Sequence, residues 1–122
     1  MTPASRLAIA TVLLAIGLLG LPAVAPAAIV SCGQVITATI VVENDLADCP
    51  AAGLVVGAPG IIVDLGGHTI AGGASATRGI DVSGFNGVVV RNGTVIDFPA
   101  DVRVSGARNT QLRDLTTARW AT

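Results

Sequence analysis

Two sets of short β-branched strings recur along the chain at long, matched intervals, and that recurrence limits the folds open to it. The first set is Gly53-Leu-Val-Val56, Gly79-Ile-Asp-Val82 and Asp101-Val-Arg-Val104. The second is Gly60-Ile-Ile-Val63, Gly87-Val-Val-Val90 and Thr110-Gln-Leu112. Leu54 stands 26 residues before Ile80, which stands 22 before Val102. Val63 stands 27 before Val90, which stands 22 before Leu112. Within each unit the two markers lie 9, 10 and 10 residues apart, so they keep step over three units. A unit this short cannot bury its own apolar face. Stacking units sets like strand on like strand about 4.8 Å apart and closes the core.

The spacing therefore predicts inward columns through Leu54, Ile80 and Val102, through Val63, Val90 and Leu112, and through Ile70 and Val95. Phe85 and Phe98 fit as fillers near turns. Asn92-Gly93 and Gly66-Gly67 fall at matching places after the second strand, where the chain must bend through φ > 0. With 15 glycines and no 3.6-residue periodicity outside the N-terminal segment, long helices are not expected. A sandwich or meander would show tight hairpins between alternating strands, whereas here like segments recur only at the longer period. The fold class that follows is all-β: a right-handed parallel β-helix of about three coils.

Apolar residues make up 52% of the chain and charged residues 12%, a balance that would suit a membrane protein if it were evenly spread. It is not. Arg6 precedes the uncharged run Leu7–Leu21, followed by Pro22-Ala-Val-Ala-Pro-Ala-Ala28. A cationic start, an apolar stretch of about 15 residues and a small-residue exit are the parts of a secretory signal peptide. Ala25 and Ala27 place its cleavage after Ala27, so residues 1–27 read as the signal. Leu7–Val30 is also long enough for an uncleaved membrane anchor; two prolines and the lack of a cationic stop-transfer flank stand against that.

The remainder, Ala28 to Thr122, is 95 residues and one domain. It reads as an N-terminal cap region, 28–52, followed by coils over 53–122. The ending Arg119-Trp120-Ala121-Thr122 reads as neither a further coil nor a capping helix. Six arginines stand against eight acids, with no lysine. Such a chain has no basic patch for phosphates, so nucleic acid is not an expected partner. Nor does any polybasic or amphipathic segment hold the mature chain on a membrane.

Cys32 and Cys49 lie just beyond the signal. In an exported chain they read as a disulfide closing a short loop over the N-terminal end of the fold, worth on the order of 3 kcal/mol. Ile29-Val30-Ser31-Cys32 also fits a bacterial lipobox, which would make the protein a lipoprotein acylated at Cys32 and leave Cys49 unpaired. The disulfide accounts for both cysteines.

The string Cys32-Gly33-x-x-Ile36-Thr37, then Asp45-Leu46-x-x-Cys49, Gly53 and Val63-Asp64-Leu65-x-Gly67-His68-x-Ile70-x-Gly72, resembles the N-terminal part of secreted right-handed β-helix proteins of the pectin-lyase-like superfamily. Val90-Arg91-Asn92-Gly93-Thr94-Val95 is similar to that superfamily's recurring coil motif (the PbH1 repeat). The resemblance covers Cys32 to about Leu115. It implies the fold. Its members include polysaccharide lyases, pectin hydrolases, alginate epimerases and the copper-accessory β-helix proteins of nitrous oxide reduction, so it does not fix an activity. It carries over no catalytic residue, because those of the pectin-degrading and epimerase members lie on middle coils without a counterpart here. Against such long columns, this chain reads as a truncated gene product or a short fragment.

Few side chains suggest chemistry. Asp81 and Arg103 occupy equivalent outward positions on neighbouring coils, beside Val55; they are the surface candidates for a sugar-binding site, or else an exposed ion pair of little energetic weight. Asp64 and Arg91 likewise align, next to Arg113, as a charge ladder. His68 is the lone histidine, without the further ligands of a metal site, and reads as a turn residue; no metal or other cofactor is implied. No carboxylates are grouped as for hydrolysis, and no Gly-x-Ser-x-Gly or phosphate loop occurs. Asn92-Gly93-Thr94 matches a glycosylation sequon but coincides with the coil motif and, in an Arg-only chain of bacterial character, reads as structural. The functional expectations are a secreted, non-catalytic β-helix protein or fragment that binds carbohydrate, a polysaccharide lyase, hydrolase or epimerase that has lost its active coils, or a cell-envelope structural module. Self-association through an open C-terminal coil is the expected partner interaction beside polysaccharide.

Overall fold

The computed structural model describes residues 25–118 and 120–121; the expected signal peptide lies outside them except for its last three residues. Twelve strands and no helix are present among the described residues. They are β1 (Ala27–Ala28), β2 (Gln34–Ile36), β3 (Ile40–Val42), β4 (Leu46–Cys49), β5 (Leu54–Val56) and β6 (Ile62–Asp64). Then follow β7 (Thr69–Gly72), β8 (Arg78–Ser83), β9 (Val89–Ile96), β10 (Ala100–Ser105), β11 (Gln111–Thr117) and β12 (Trp120–Ala121). The expected cleavage point after Ala27 thus falls inside β1.

All their pairings are parallel, in two hydrogen-bonded sheets. One runs β2-β5-β8-β10-β12 and forms the first face. The other folds over two faces because β9 turns a corner. Its start, Val89–Arg91, pairs with β6, and its end, Thr94–Ile96, pairs with β7. The second face is therefore β1, β3, β6 and the first halves of β9 and β11. The third is β4, β7 and their second halves. The chain visits the three faces in turn, making a parallel β-solenoid of about four turns.

The register matches the columns read from spacing. Leu54 pairs with Ile80 and Ile80 with Val102; Val63 pairs with Val90 and Val90 with Leu112; Ile70 pairs with Val95. All are fully buried except Leu112, which is 38% exposed. Val102 is covered by β12, whereas β11 has no strand beyond it among the described residues. Phe98 is buried at the corner after β9, and Phe85 packs against the core from its edge.

The solenoid has one turn more than expected because the segment read as a cap is itself a coil. Its strands β2, β3 and β4 pair in parallel with β5, β6 and β7. Capping falls instead to the segment before β2. Ala28 accepts from Glu43 N at 2.9 Å, and Val30 is buried. The Asn44 amide grips the Val30 backbone at both ends, accepting from its N–H at 2.8 Å and donating to its carbonyl at 2.9 Å. An amide can imitate a strand's donor and acceptor in this way, satisfying an edge that would otherwise face water.

The corners explain the turn residues. Gly60, Gly87 and Asn109, one per coil, all take φ between 57° and 73° at the same bend before the second face. At the next bend Gly66 and Gly67 both have positive φ, but only Asn92 does in the following coil. Gly93 is needed for space: a Cβ there would press on the Leu65 side chain and lie 2.8 Å from the His68 carbonyl oxygen.

Candidate functional site

The outer surface of the first face carries the polar groups aligned by the sequence. Asp81 lies between Val55 and Arg103 in the ladder, as the spacing predicts. Its environment differs from the exposed site expected. Asp81 is only 8% exposed, and its carboxylate accepts from Arg78 Nη1 at 2.8 Å and from the Ser83 hydroxyl. The ion pair therefore runs along β8 to Arg78, three residues earlier, rather than across coils to Arg103. Arg78 lies before the repeated string, where spacing gave no reason to pair it with Asp81. Arg103 is half-buried and forms no ion pair with the described residues. Ser105 is aligned with Ser83. The result is a stripe on β8 and β10 with a preformed carboxylate–guanidinium pair, two hydroxyls and one uncommitted guanidinium.

The second face holds the expected charge ladder. Arg91 Nε donates to Asp64 at 3.1 Å, Asn92 donates to the same oxygen at 3.1 Å, and Gly66 N donates to the other at 2.8 Å. Burial pushes the Asp64 pKa upward. The Gly66 N–H and then Arg91 and Asn92 outweigh it, holding the carboxyl below its ordinary value. Arg113 extends the column but turns to the Gln111 side chain.

His68 sits at the corner between second and third faces, as a turn residue. Its Nδ1 lies 3.0 Å from Asp45 Oδ1, which also accepts from Thr69 N at 2.9 Å. The Thr69 N–H first, and His68 second, lower the Asp45 pKa. These contacts tie the first coil to the second. No group of three or more potential metal ligands occurs among the described residues.

Asp101 is a buried acid that sequence reasoning did not single out. It occupies the strand position held by Gly53 and Gly79 in earlier coils. There its Oδ1 accepts from Phe98 N at 3.1 Å and its Oδ2 from Ala118 N at 2.9 Å. The signal was present: an acid replaces glycine at one position of an otherwise apolar repeat. Asp101 forms the floor of a cleft of about 360 Å³ at the corner between third and first faces, walled by Gly73, Ala74, Asp97 and Pro99.

Cys32 and Cys49 form the expected disulfide, with Cα atoms 5.4 Å apart, joining the start and end of the first coil. Both sulfurs are taken up, so no thiol remains at Cys32 for the acylation considered as the alternative. No helix among the described residues is long and apolar enough to cross a membrane. Comparison of the chain with protein-family models, with curated proteins and with solved structures finds no match, so what is shown is a parallel β-helix fold and not the pectin-lyase-like superfamily in particular.

Proposed function

We propose that this chain is a secreted, non-catalytic β-helix module that binds an acidic polysaccharide along the first face. The observation that carries the reading is the stripe on β8 and β10. Asp81 accepts hydrogen bonds from Arg78 and Ser83, while Arg103 on the neighbouring strand has no ion pair with the described residues. A guanidinium recognises a sugar carboxylate through paired N–H donors. Ser83 and Ser105, stacked one strand apart, suit sugar hydroxyls. The same geometry supports binding over cleavage. Asp64 is engaged by Arg91 and its carboxyl is held below its ordinary value, which favours the ionised form and does not suit it for general-acid work.

Calorimetric titration with polygalacturonate, alginate and a neutral glucan tests the proposal. Binding of the two uronate polymers, lost in Arg103→Ala while the fold is retained, is the expected result. Equal binding of the neutral glucan, or unchanged binding by Arg103→Ala, would refute the site. Release of unsaturated or reducing ends would refute the non-catalytic reading.

A further inference from the structure

An acid aligned with an arginine one coil later occurs twice on the outer surface, and the two cases differ. On the second face Asp64 is the ladder partner of Arg91, and the two pair across the coils, Nε to carboxylate oxygen at 3.1 Å. On the first face Asp81 is the ladder partner of Arg103 in the same relation, yet these two do not pair. Backbone spacing does not separate the cases, since aligned residues on neighbouring strands stand about 4.8 Å apart in both. Nor does burial. The Asp81 and Asp64 side chains are 12% and 13% exposed, so each carboxylate needs a cation to offset its loss of water.

The difference is one residue. Three places before Asp81 stands Arg78, whose Nη1 donates to the carboxylate at 2.8 Å. Three places before Asp64 stands Ile61, which is buried in the core and carries no charge.

We propose that Arg78 is a positioning residue: by engaging Asp81 it keeps the neighbouring Arg103 open to ligand, a role that rests on the reading of Arg103 as the residue meeting a sugar carboxylate. In the outward column Arg103 is flanked by Asp81 on one side and Ala121 on the other. Two residues back along its own strand, Asp101 is fully buried, and its oxygens accept from Phe98 N and Ala118 N. Among the described residues, Asp81 is therefore the anion best placed to compete with a uronate for Arg103. Arg78 also offsets the charge of Asp81, which would otherwise repel a carboxylate bound beside it.

Without Arg78, the Asp81 carboxylate keeps the Ser83 hydroxyl and turns to Arg103, reproducing the pair seen between Asp64 and Arg91. A uronate must then break that pair to bind. Affinity is expected to fall about tenfold, the scale of one charge-assisted hydrogen bond.

Calorimetric titration of the full chain with polygalacturonate, joined to NMR of the arginine Nε–H groups without ligand, tests the role. Arg78→Ala is expected to weaken binding by that factor. Arg78→Lys retains binding, because an ammonium still reaches Asp81. The double variant Arg78→Ala/Asp81→Asn recovers it, because no carboxylate then claims Arg103. In ligand-free Arg78→Ala the Arg103 Nε–H signal, assigned by its loss in Arg103→Ala, shifts as the new pair forms, and in the double variant it returns. A merely structural role for Arg78 would produce neither that shift nor the rescue. Unchanged binding by Arg78→Ala, or an Arg103 signal indifferent to it, would overturn the proposal and leave the sugar site standing. An unmodified chain that binds no uronate would overturn the sugar site and the role of Arg78 with it.

Discussion

Truncating the second-face column tests both the register and the openness of its end. Val90 is fully buried between Val63 and Leu112. Replacing it with alanine removes two methyl groups at about 0.8 kcal/mol each and leaves a cavity that its neighbours, held by strand pairing, cannot fill, for a total of about 2–3 kcal/mol. Leu112→Ala removes more carbon from the next position of the same column, and in a closed core it would cost about 2–5 kcal/mol. Here Leu112 is 38% exposed with no strand stacked beyond it among the described residues, so much of its surface is wet already and the expected cost is about 1 kcal/mol. The larger truncation is therefore the cheaper one. Urea unfolding followed by far-UV circular dichroism at low protein concentration gives both values, compared at equal m. If Leu112→Ala costs as much as Val90→Ala under those conditions, the column is covered beyond β11 and the reasoning fails.

Four further perturbations probe separate features. Gly79→Ala would push a methyl into the Asp101 carbonyl oxygen and the Val95 side chain at a backbone of ordinary φ, so its cost is steric, about 3 kcal/mol by chemical denaturation. Gly84→Ala has open space but φ of 77°, and about 1 kcal/mol of strain is expected. Reducing the Cys32–Cys49 disulfide frees a 17-residue separation and lowers stability by about 3 kcal/mol, with hydrogen exchange rising first in β2–β4. The Asp64 pKa is depressed in the fold, so its contribution is fully present above the unfolded carboxylate value of about 4 and is lost as pH falls through the lower folded value. Arg91→Ala removes part of that contribution at neutral pH, and an acid titration by circular dichroism should find the variant and the unmodified chain converging in strong acid.

The fold was legible because a solenoid writes its register into the chain. Each inward residue must meet its counterpart one coil later, so Leu54, Ile80 and Val102 had to recur at matched intervals for the core to close. The same logic aligned Asp81 with Arg103 and Asp64 with Arg91. It could not say which partner each charge takes. Asp64 reaches across to Arg91, but Asp81 finds Arg78 within its own strand. That choice depends on side-chain reach and on the local path of the chain entering β8, neither of which periodicity encodes. The first coil was missed because its strings are short and its inward positions begin with Gln34, aligned with Leu54. The Val30 plug and the Asn44 clamp were missed because a cap is used once and has no period.

Variation in coil length accounts for the location of the cleft. Counted along the first face, Gln34 to Leu54 spans 20 residues, Leu54 to Ile80 spans 26, and Ile80 to Val102 spans 22. Strand pairing joins the second coil to the third without a register break on each face, so the extra residues of the second coil leave at corners. They do so at two places: Leu65–His68 between β6 and β7, and Gly73–Thr77 between β7 and β8. The coil above turns the latter corner in three residues, Asp97–Pro99. The longer corner overhangs the shorter one, and the gap between them is the cleft floored by Asp101. Asp101 itself answers the mismatch. Its carboxylate receives Phe98 N–H and Ala118 N–H, groups from two successive corners that do not stack closely enough to serve each other. The ladder thus fixes the apolar interior within narrow limits, while changes of a few residues per coil create recesses outside it at little cost to the core. In such a scaffold the corners where coil length changes, and the outward columns between them, are where binding groups can be altered without disturbing the stack.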